Sequence, residues 1–174
     1  GNDVIVGAAG NDVIAGNAGN DFITAGTGDD TIDGGDDTDT LSYANNGQSI
    51  AVNYTNATDG TVSGQGSDEF SNIEHIQGTS QADTYTAGTA GNTFTVSNGR
   101  DGNDSFIGGS GTDTLELSGV SGNVTIEFTG ANAGTIAYSA ANYGVDSFSD
   151  IETINTAGST VTLNNANGVT VTGN

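Results

Sequence analysis

Residues 1–41 read GNDVIVGAAGNDVIAGNAGNDFITAGTGDDTIDGGDDTDTL, and in this stretch an aspartate returns at every ninth position. An aliphatic residue follows each aspartate two places later, in the pairs Asp3/Ile5, Asp12/Ile14, Asp21/Ile23, Asp30/Ile32 and Asp39/Leu41. Glycine stands two residues before the first four aspartates, at Gly1, Gly10, Gly19 and Gly28. Because glycine adopts the positive-φ conformations that tight turns require, the period predicts turns and short strands in regular alternation.

Each nine-residue repeat divides into a six-residue turn that ends in aspartate and a three-residue strand whose middle side chain points inward. Two repeats then form one coil, so residues eighteen apart stack on the same edge. We expect Asp3, Asp21 and Asp39 along one edge and Asp12 and Asp30 along the other. Stacked carboxylates repel one another, and a cation between them reverses the sign. Calcium takes six to eight oxygen ligands in a flexible geometry, which two aspartates and free turn carbonyls supply.

The chain resembles a known family through these repeats. The nonapeptide G-G-x-G-x-D-x-U-x is the calcium-binding repeat of RTX proteins, and GAAGNDVIA, GNAGNDFIT and AGTGDDTID are similar to it. The resemblance to the RTX, or haemolysin-type calcium-binding, family is ungapped over residues 1–41 and degenerate over residues 79–115. It implies an all-β fold, a right-handed parallel β-roll or β-solenoid stabilised by calcium. It also implies a secreted bacterial protein that leaves through a type I secretion channel and folds on extracellular calcium.

The degenerate segment keeps the phase of the repeat as Asp83/Tyr85, Asn92/Phe94, Asp104/Phe106 and Asp113/Leu115, with a three-residue insertion before Asp104. The residues predicted to form metal sites are therefore Gly1, Asp3, Gly10, Asp12, Gly19, Asp21, Gly28, Asp30, Asp39, Asp83, Asp104 and Asp113. A solvated acidic face is the alternative interpretation, against which five in-phase aspartates flanked by glycine argue. We expect Glu74 and Glu152 to be solvent-facing strand residues rather than ligands.

Two parts of the chain resemble each other. Residues 39–76 and 113–154 align so that Leu41 matches Leu115, Ile73 matches Ile151 and Ile76 matches Ile154. One continuous solenoid is predicted to contain five segments. These are the clean repeats 1–41, a diverged strand-rich block 42–78, the degenerate repeats 79–115, a second diverged block 116–156 and a terminal β coil 157–174.

The composition restricts the partners of the chain. Twenty-two acidic residues against one base give a formal charge of -21, which repels nucleic acid and anionic membrane surfaces. No apolar run approaches the length of a membrane-spanning helix, and the lack of cysteine excludes a disulfide framework. Low hydrophobicity with high charge is also typical of disorder, but the periodic isoleucines favour a chain that folds conditionally. Because metal-binding free energy becomes folding free energy, we expect the calcium-free chain to be largely unfolded.

We predict no enzymatic activity and no catalytic residue. His75 is the one histidine, no nucleophile-elbow motif accompanies it, and IEHI becomes IETI in the second copy. Because residue 1 lies inside a repeat, we expect the chain to be a piece of a longer protein. The predicted function is that of a calcium-binding structural or assembly module of a secreted or cell-surface protein, of the S-layer or adhesin type. Its expected partners are calcium ions and further copies or flanking modules of the same chain.

Two alternatives remain open. RTX repeats also follow secreted proteases, lipases and epimerases, so the chain is alternatively a non-catalytic accessory module of such an enzyme. A carbohydrate- or ice-binding adhesin module is the other possibility. For carbohydrate binding, the candidate residues are Tyr43, Tyr54, Tyr85, Tyr138 and Tyr143, although aromatic residues in strands more often pack. For ice binding, Asn2, Asn11 and Asn20 supply half of the expected Thr-Gly-Asn array, but only Thr27 supplies the other half.

Overall fold

The structure is a computed structural model that describes residues 1–95, 102–117, 120, 122–139, 144–156, 161–164 and 170–172. Within these residues it contains nineteen strands and no helix, which confirms the all-β class. None of the described residues belongs to a helix that could cross a membrane.

The strands are short, as the three-residue strand segments of the repeat predict. In chain order they are β1 (Val4–Ala9), β2 (Val13–Ala15), β3 (Phe22–Thr27), β4 (Thr31–Asp33), β5 (Thr40–Ser42), β6 (Ala51–Tyr54), β7 (Gly60–Ser63), β8 (Ser67–Ser71), β9 (His75–Gln77), β10 (Thr84–Thr86), β11 (Thr93–Thr95), β12 (Ser105–Ile107), β13 (Thr114–Glu116), β14 (Val124–Gly130), β15 (Ala133–Tyr138), β16 (Val145–Ser149), β17 (Thr153–Asn155), β18 (Val161–Asn164) and β19 (Thr170–Thr172).

The clean repeats form coils of two strands each. Strands β1, β3 and β5 pair in parallel in one sheet, where Ile23 lies between Ile5 and Leu41. Strands β2 and β4 pair in parallel in a second sheet, where Ile14 lies beside Ile32. Partners are eighteen residues apart, as predicted, because two nonapeptides make one turn of the coil. The middle side chain of each strand points between the sheets, and Ile23 and Leu41 are fully buried.

The diverged block at residues 42–78 changes the direction of the chain within the second sheet. Strands β6, β7 and β8 form an antiparallel meander. Strand β8 pairs in parallel with β4, which places Phe70 beside Ile32, and β6 pairs in parallel with β10. The meander therefore adds two strands to one sheet, while in the other sheet β9 pairs directly with β5.

The second block repeats this arrangement. Strands β14, β15 and β16 form another antiparallel meander, with β16 in parallel with β12 and β14 in parallel with β18. Leu41 pairs with Ile76 in the first copy and Leu115 pairs with Ile154 in the second, so the internal repeat predicted from the sequence is confirmed. The long sheet runs β18-β14-β15-β16-β12-β10-β6-β7-β8-β4-β2 and is mixed rather than parallel throughout. The others run β1-β3-β5-β9 and β11-β13-β17-β19.

Aromatic side chains fill the centre of the molecule. Tyr54, Phe70, Tyr85, Phe94 and Phe106 form a continuous set of ring contacts, in which Tyr85 and Phe106 stack with centroids 5.1 Å apart. Aromatic residues bury more area than the isoleucines that they replace in the ladder. Three of the candidate sugar-binding tyrosines, at positions 43, 54 and 85, are buried, and Tyr138 is half-buried. Tyr143 lies outside the described residues.

Adjacent turns on one edge stack closely through glycine. The second and fourth residues of the clean turns have positive φ, for example Gly26 (+110°) and Gly10 (+120°). A Cβ placed on Gly26 would lie 1.7 Å from the carbonyl oxygen of Ala8 in the preceding coil, whereas a Cβ on Gly10 meets nothing within 4 Å. Gly10 is thus required by its conformation alone, and Gly26 by its conformation and by the stacking of turns.

These two glycines form a matched pair for substitution. We expect Gly10→Ala to lower the free energy of unfolding by about 1 to 2 kcal/mol, the cost of a left-handed conformation for a residue with a Cβ. Gly26→Ala adds the strain of overpacking, about 1 to 3 kcal/mol more. Urea unfolding in the presence of calcium measures both values. Equal losses in the two variants would contradict the close stacking of turns.

Candidate metal centre

The aspartates of the clean repeats form two hydrogen-bonded ladders. The main-chain N–H of Asp3 donates to Oδ1 of Asp21 (2.7 Å), and that of Asp21 donates to Oδ1 of Asp39 (2.8 Å). On the other edge, the N–H of Asp12 donates to Oδ1 of Asp30 (2.8 Å). The predicted division of the five aspartates between two edges is confirmed, and Asp21, Asp30 and Asp39 each use one carboxylate oxygen to hold the coil before them.

The first ladders continue into residues that the sequence analysis missed. The N–H of Asp30 donates to Oδ1 of Asp68 (3.0 Å), and that of Asp39 donates to Oε2 of Glu74 (2.8 Å). The expectation of a solvent-facing strand residue is wrong for Glu74, which precedes β9, is half-buried and accepts this bond. The longer glutamate side chain reaches the position that aspartate occupies elsewhere.

The second copy has the same extension. The N–H of Asp104 donates to Oδ1 of Asp146 (2.9 Å), and that of Asp113 donates to Oε2 of Glu152 (2.8 Å). Glu152 is therefore also a ladder residue, and the expectation that it faces solvent from a strand is wrong. The signal in the sequence was an acid two residues before a buried apolar residue, as in Asp146/Phe148. The nine-residue interval is lost there, so the period did not include these acids.

The degenerate repeats keep the ladder geometry. The N–H of Asp83 donates to Oδ1 of Asp104, and that of Asn92 donates to Oδ1 of Asp113, both at 2.8 Å. The ladder on the first of these edges begins at Ile50, whose N–H donates to Oδ1 of Asp83 (2.8 Å). Stacking thus tolerates a residue without a carboxylate at the start of a ladder.

The asparagines before the aspartates form a second ladder, in which each side-chain oxygen accepts from the coil after it and not from the coil before it. Oδ1 of Asn2 accepts from the N–H of Asn20 (3.0 Å), and Oδ1 of Asn11 accepts from the N–H of Asp29 (3.1 Å). Oδ1 of Asn20 accepts from the N–H of Thr38 (3.4 Å). The side-chain oxygens of these three asparagines therefore join one coil to the next.

Four carboxylate oxygens in the clean repeats are buried and have no hydrogen-bond partner in the described part of the chain. They are Oδ2 of Asp12, Asp21, Asp30 and Asp39. Asp39 is fully buried, and Asp21 and Asp30 are at most 3% exposed. Buried charged groups in proteins are paired or bind metal, but the chain has one base, Arg100, which lies outside the described residues. One arginine does not serve four carboxylates, so the compensating charge has to come from outside the chain.

In three of the four turns, the first residue is a glycine (Gly7, Gly16 or Gly34) that leaves room beside the free carboxylate oxygen. Oδ2 of Asp21 and the carbonyl oxygen of Gly34 each lie 2.4 Å from the point where a Cβ on Gly16 would be. At Gly34 itself, the corresponding atoms are the carbonyl oxygen of Asn72 (2.1 Å) and Oδ2 of Asp39 (2.6 Å). A free carboxylate oxygen and a carbonyl of the next coil thus meet in the same space. This all-oxygen donor set fits calcium.

The described residues contain no group of three or more acids, histidines or cysteines that could hold a metal. A site in these turns therefore has to take most of its ligands from main-chain carbonyls. Gly10, Gly19 and Gly28 have positive φ at the fourth turn position, and Gly1 is exposed, with its amino group donating to the carbonyl oxygen of Ala18. Ligation through these glycines stays a prediction.

The corresponding oxygens in later coils have donors within the chain. Oδ2 of Asp83 accepts from the N–H of Thr79 (2.7 Å), and Oδ2 of Asp113 accepts from the N–H of Gly109 (3.1 Å). Oδ2 of Asp68 accepts from the hydroxyl of Tyr43 (2.7 Å). Oδ2 of Asp146 accepts from the hydroxyl of Tyr138 (2.5 Å). Metal ligation by Asp83, Asp104 and Asp113 stays a prediction.

His75 follows the ladder residue Glu74, and its main-chain N–H donates to the carbonyl oxygen of Asp39 (3.0 Å). Its Nδ1 is 3.4 Å from Oγ1 of Thr95, in an open groove of about 250 Å³ that Phe22 and Thr40 also line. The prediction that the chain has no catalytic residue is not tested by this arrangement.

Burial changes the acidity of three ladder aspartates. It raises the pKa of Asp39, where the nearby charges of Asp21 and Glu74 act in the same direction and a hydrogen bond from the Asp21 amide opposes them. Burial also raises the pKa of Asp68 and of Asp146, against the hydrogen bonds from Tyr43 and Tyr138. The metal-free fold therefore binds protons at these sites more tightly than the unfolded chain does.

The sign of the pH dependence follows from these directions. The stabilisation that a raised pKa provides is fully present below the ordinary aspartate value of 3.8 and is lost as the pH rises through the folded-state values. We expect metal-free protein to melt at a higher temperature at about pH 4 than at about pH 7. Circular dichroism of protein stripped on a chelating resin measures this difference. A melting temperature that rises steadily with pH would contradict the expected effect of burial.

Comparison with known proteins agrees with the geometry of the turns. A family model described as RTX calcium-binding nonapeptide repeat (4 copies) matches residues 1–29, 16–45 and 88–126. No curated protein matches the chain. The matched residues include the four aspartates with a free carboxylate oxygen and the two degenerate-repeat aspartates 104 and 113. Residues 1–45 and 88–126, which these matches cover, therefore carry RTX calcium-binding nonapeptide repeats.

Proposed function

We propose that the chain is a calcium-binding structural module of a secreted protein and that residues 1–39 fold around the ion as a right-handed parallel β-roll. The observation that carries this proposal is the set of buried carboxylate oxygens at Asp12, Asp21, Asp30 and Asp39, for which the described residues supply no hydrogen-bond donor. An unsatisfied buried polar group costs about 1 to 3 kcal/mol, and more when it is charged. The clean repeats therefore carry a penalty that an external cation removes.

The ligands lie on both edges of the coils. On one edge Asp21 and Asp39 supply carboxylate oxygens, and the carbonyls of Gly34 and Asn72 lie beside them. On the other edge Asp12 and Asp30 supply carboxylates, and the carbonyl of Ala25 lies 2.4 Å from the Cβ position of Gly7, which Oδ2 of Asp12 also approaches. Bound calcium supplies the positive charge that these residues lack. Magnesium demands a tighter octahedron and keeps its waters, so it is a poor substitute.

Strands β1 and β2 are the outermost strands of their sheets, and Val4, Val6 and Val13 on them are 78%, 64% and 87% exposed. Such an edge pairs either with a flanking module of the same chain or with another copy. An assembly role of the S-layer or adhesin type corresponds to the second case. Calcium at extracellular concentrations, about 0.1 to 1 mM for weak extracellular modules, would trigger folding after export. This role, and the location at a cell surface, rest on the family resemblance.

Two neighbouring aspartates allow a test of calcium ligation in which each substitution removes one negative charge. Asp30 is buried with a free Oδ2, whereas Asp29 is exposed and its Oδ1 accepts from the N–H of Ser67. We expect Asp30→Asn to weaken calcium binding about 10- to 100-fold, because one charged ligand is lost. Asp29→Asn keeps its acceptor oxygen and should change the affinity less than about threefold. Isothermal titration of chelator-treated protein measures both constants.

Magnesium is the control ion for the same titration. At equal concentration it should leave the protein without the heat of binding that calcium gives. Equal weakening by the two substitutions would indicate a diffuse acidic surface, and wild-type protein that binds no calcium would refute the proposal.

A further inference from the structure

We propose that the chain has two parts that meet at β8 and β9 and that only the first part needs calcium to fold. The part from Tyr43 onward satisfies its ladder carboxylates with its own hydroxyl and amide hydrogens and stays folded without the ion. The clean repeats fold onto that part only when calcium is bound. This division rests on the proposed function, because it takes the free oxygens of residues 1–39 to be the calcium ligands.

A tyrosine hydroxyl binds a ladder aspartate at this boundary, and another does so at the equivalent position of the second copy. Tyr43 donates to Oδ2 of Asp68 and Tyr138 donates to Oδ2 of Asp146. Asp68 in β8 and Asp146 in β16 are equivalent residues of the two meanders, and each accepts a ladder bond at Oδ1 from the coil beside it. At this position the hydroxyl supplies the positive partner that the clean repeats lack.

The two tyrosines come from different places in the fold. Tyr43 follows β5 in the first sheet, whereas Tyr138 ends β15, the neighbour of β16 in the long sheet. They are not equivalent in the internal repeat, because the residue that matches Tyr43 is Leu117. The same oxygen is thus satisfied by two separate arrangements, which indicates that satisfying it is a requirement of the fold.

The turn before Asp83 uses a threonine for the same purpose. Thr79 donates its N–H to Oδ2 of Asp83 and its hydroxyl to Oδ1 (2.9 Å). It occupies the second turn position, where Ala8, Asn17 and Gly26 have positive φ in the clean turns. A β-branched residue disfavours that conformation. The peptide of Thr79 is oriented so that its N–H faces the carboxylate and takes the place of a cation.

The core of the second part is also larger. It holds most of the aromatic cluster, including Tyr54, Phe94 and Phe106, whereas the apolar side chains that the strands of the clean repeats bury are all aliphatic, namely Ile14, Ile23, Ala25, Ile32 and Leu41. Larger apolar burial gives this part a driving force that does not depend on the ion. Without calcium, we therefore expect residues 1–39 to be unfolded, rather than the whole chain.

Strands β8 and β9 then present a preformed edge. Their partners β4 and β5 pair with them in parallel, and the N–H groups of Asp30 and Asp39 donate to Asp68 and Glu74. With this edge in place, the clean repeats add coil by coil as calcium enters each turn.

Hydrogen exchange of the full chain tests the division. In metal-free buffer at neutral pH, we expect amides of β10, β12 and β13 to be protected and those of β2, β3 and β4 to exchange as in an unfolded chain. Calcium should then protect the second group by at least about 100-fold. If both groups need calcium, the division is wrong and the proposed function stands. If calcium changes neither group, both are wrong.

Tyrosine variants test the role of the hydroxyls in the same measurement. We expect Tyr43→Phe to lower the metal-free protection of β8 by roughly tenfold or more, because a hydrogen bond to a buried carboxylate is lost. Calcium should restore that protection, because Oδ2 of Asp68 has lost its hydroxyl donor in this variant and can bind the ion beside Asp30. Tyr54→Phe is the control, since this buried ring packs against Phe70 and Phe94. An effect of Tyr43→Phe no larger than that of Tyr54→Phe, or a loss that calcium does not reverse, would overturn the role of the hydroxyl.

Discussion

The fold depends on how a buried aspartate divides its two carboxylate oxygens. One oxygen accepts a main-chain N–H from the coil before it, which fixes the stacking of strands. The other oxygen needs a partner of positive character, because a buried carboxylate without one is costly. In Asp21 and Asp39 this oxygen has no partner among the residues that the structure describes, and in Asp68 it has a hydroxyl. A chain with a single base can satisfy such oxygens in two ways, with an imported cation or with its own neutral donors.

The asparagine and aspartate of each turn hold the coil from both sides. Oδ1 of Asp21 accepts from Asp3 in the coil before, while Oδ1 of the adjacent Asn20 accepts from Thr38 in the coil after. The two side chains therefore satisfy amides at the turn, where strand pairing does not. This explains why the dipeptide recurs as Asn2-Asp3, Asn11-Asp12 and Asn20-Asp21. The strand residues alone, three to a repeat, would leave these amides without acceptors.

The register of the clean repeats was predictable because it is determined locally. Turn and strand lengths add to nine residues, so Ile23 has to lie between Ile5 and Leu41. The meanders were not predictable in direction, since alternation in Val52 and Tyr54 indicates a strand and not the orientation of its partner. Glu74 was misjudged because its place in the ladder is set by stacking on Asp39, a residue thirty-five positions away. The free oxygens of the aspartates were likewise not predictable, since they depend on the backbone conformation of the turn, as at Thr79, and on nearby hydroxyls, as at Tyr43.

The clean turns and the turn at residues 78–83 differ in the conformation of one residue. In the clean turns the second residue has positive φ, at some cost where it is Ala8 or Asn17, and the carboxylate that ends the turn keeps a free oxygen. In the turn at residues 78–83 the second residue is Thr79, and its N–H occupies that oxygen. Strain at Ala8 and Asn17 is therefore retained where it keeps the carboxylate open to a cation. A chain that needed only a stable coil would use the threonine turn throughout, so the strained turns are where we place the calcium-dependent function.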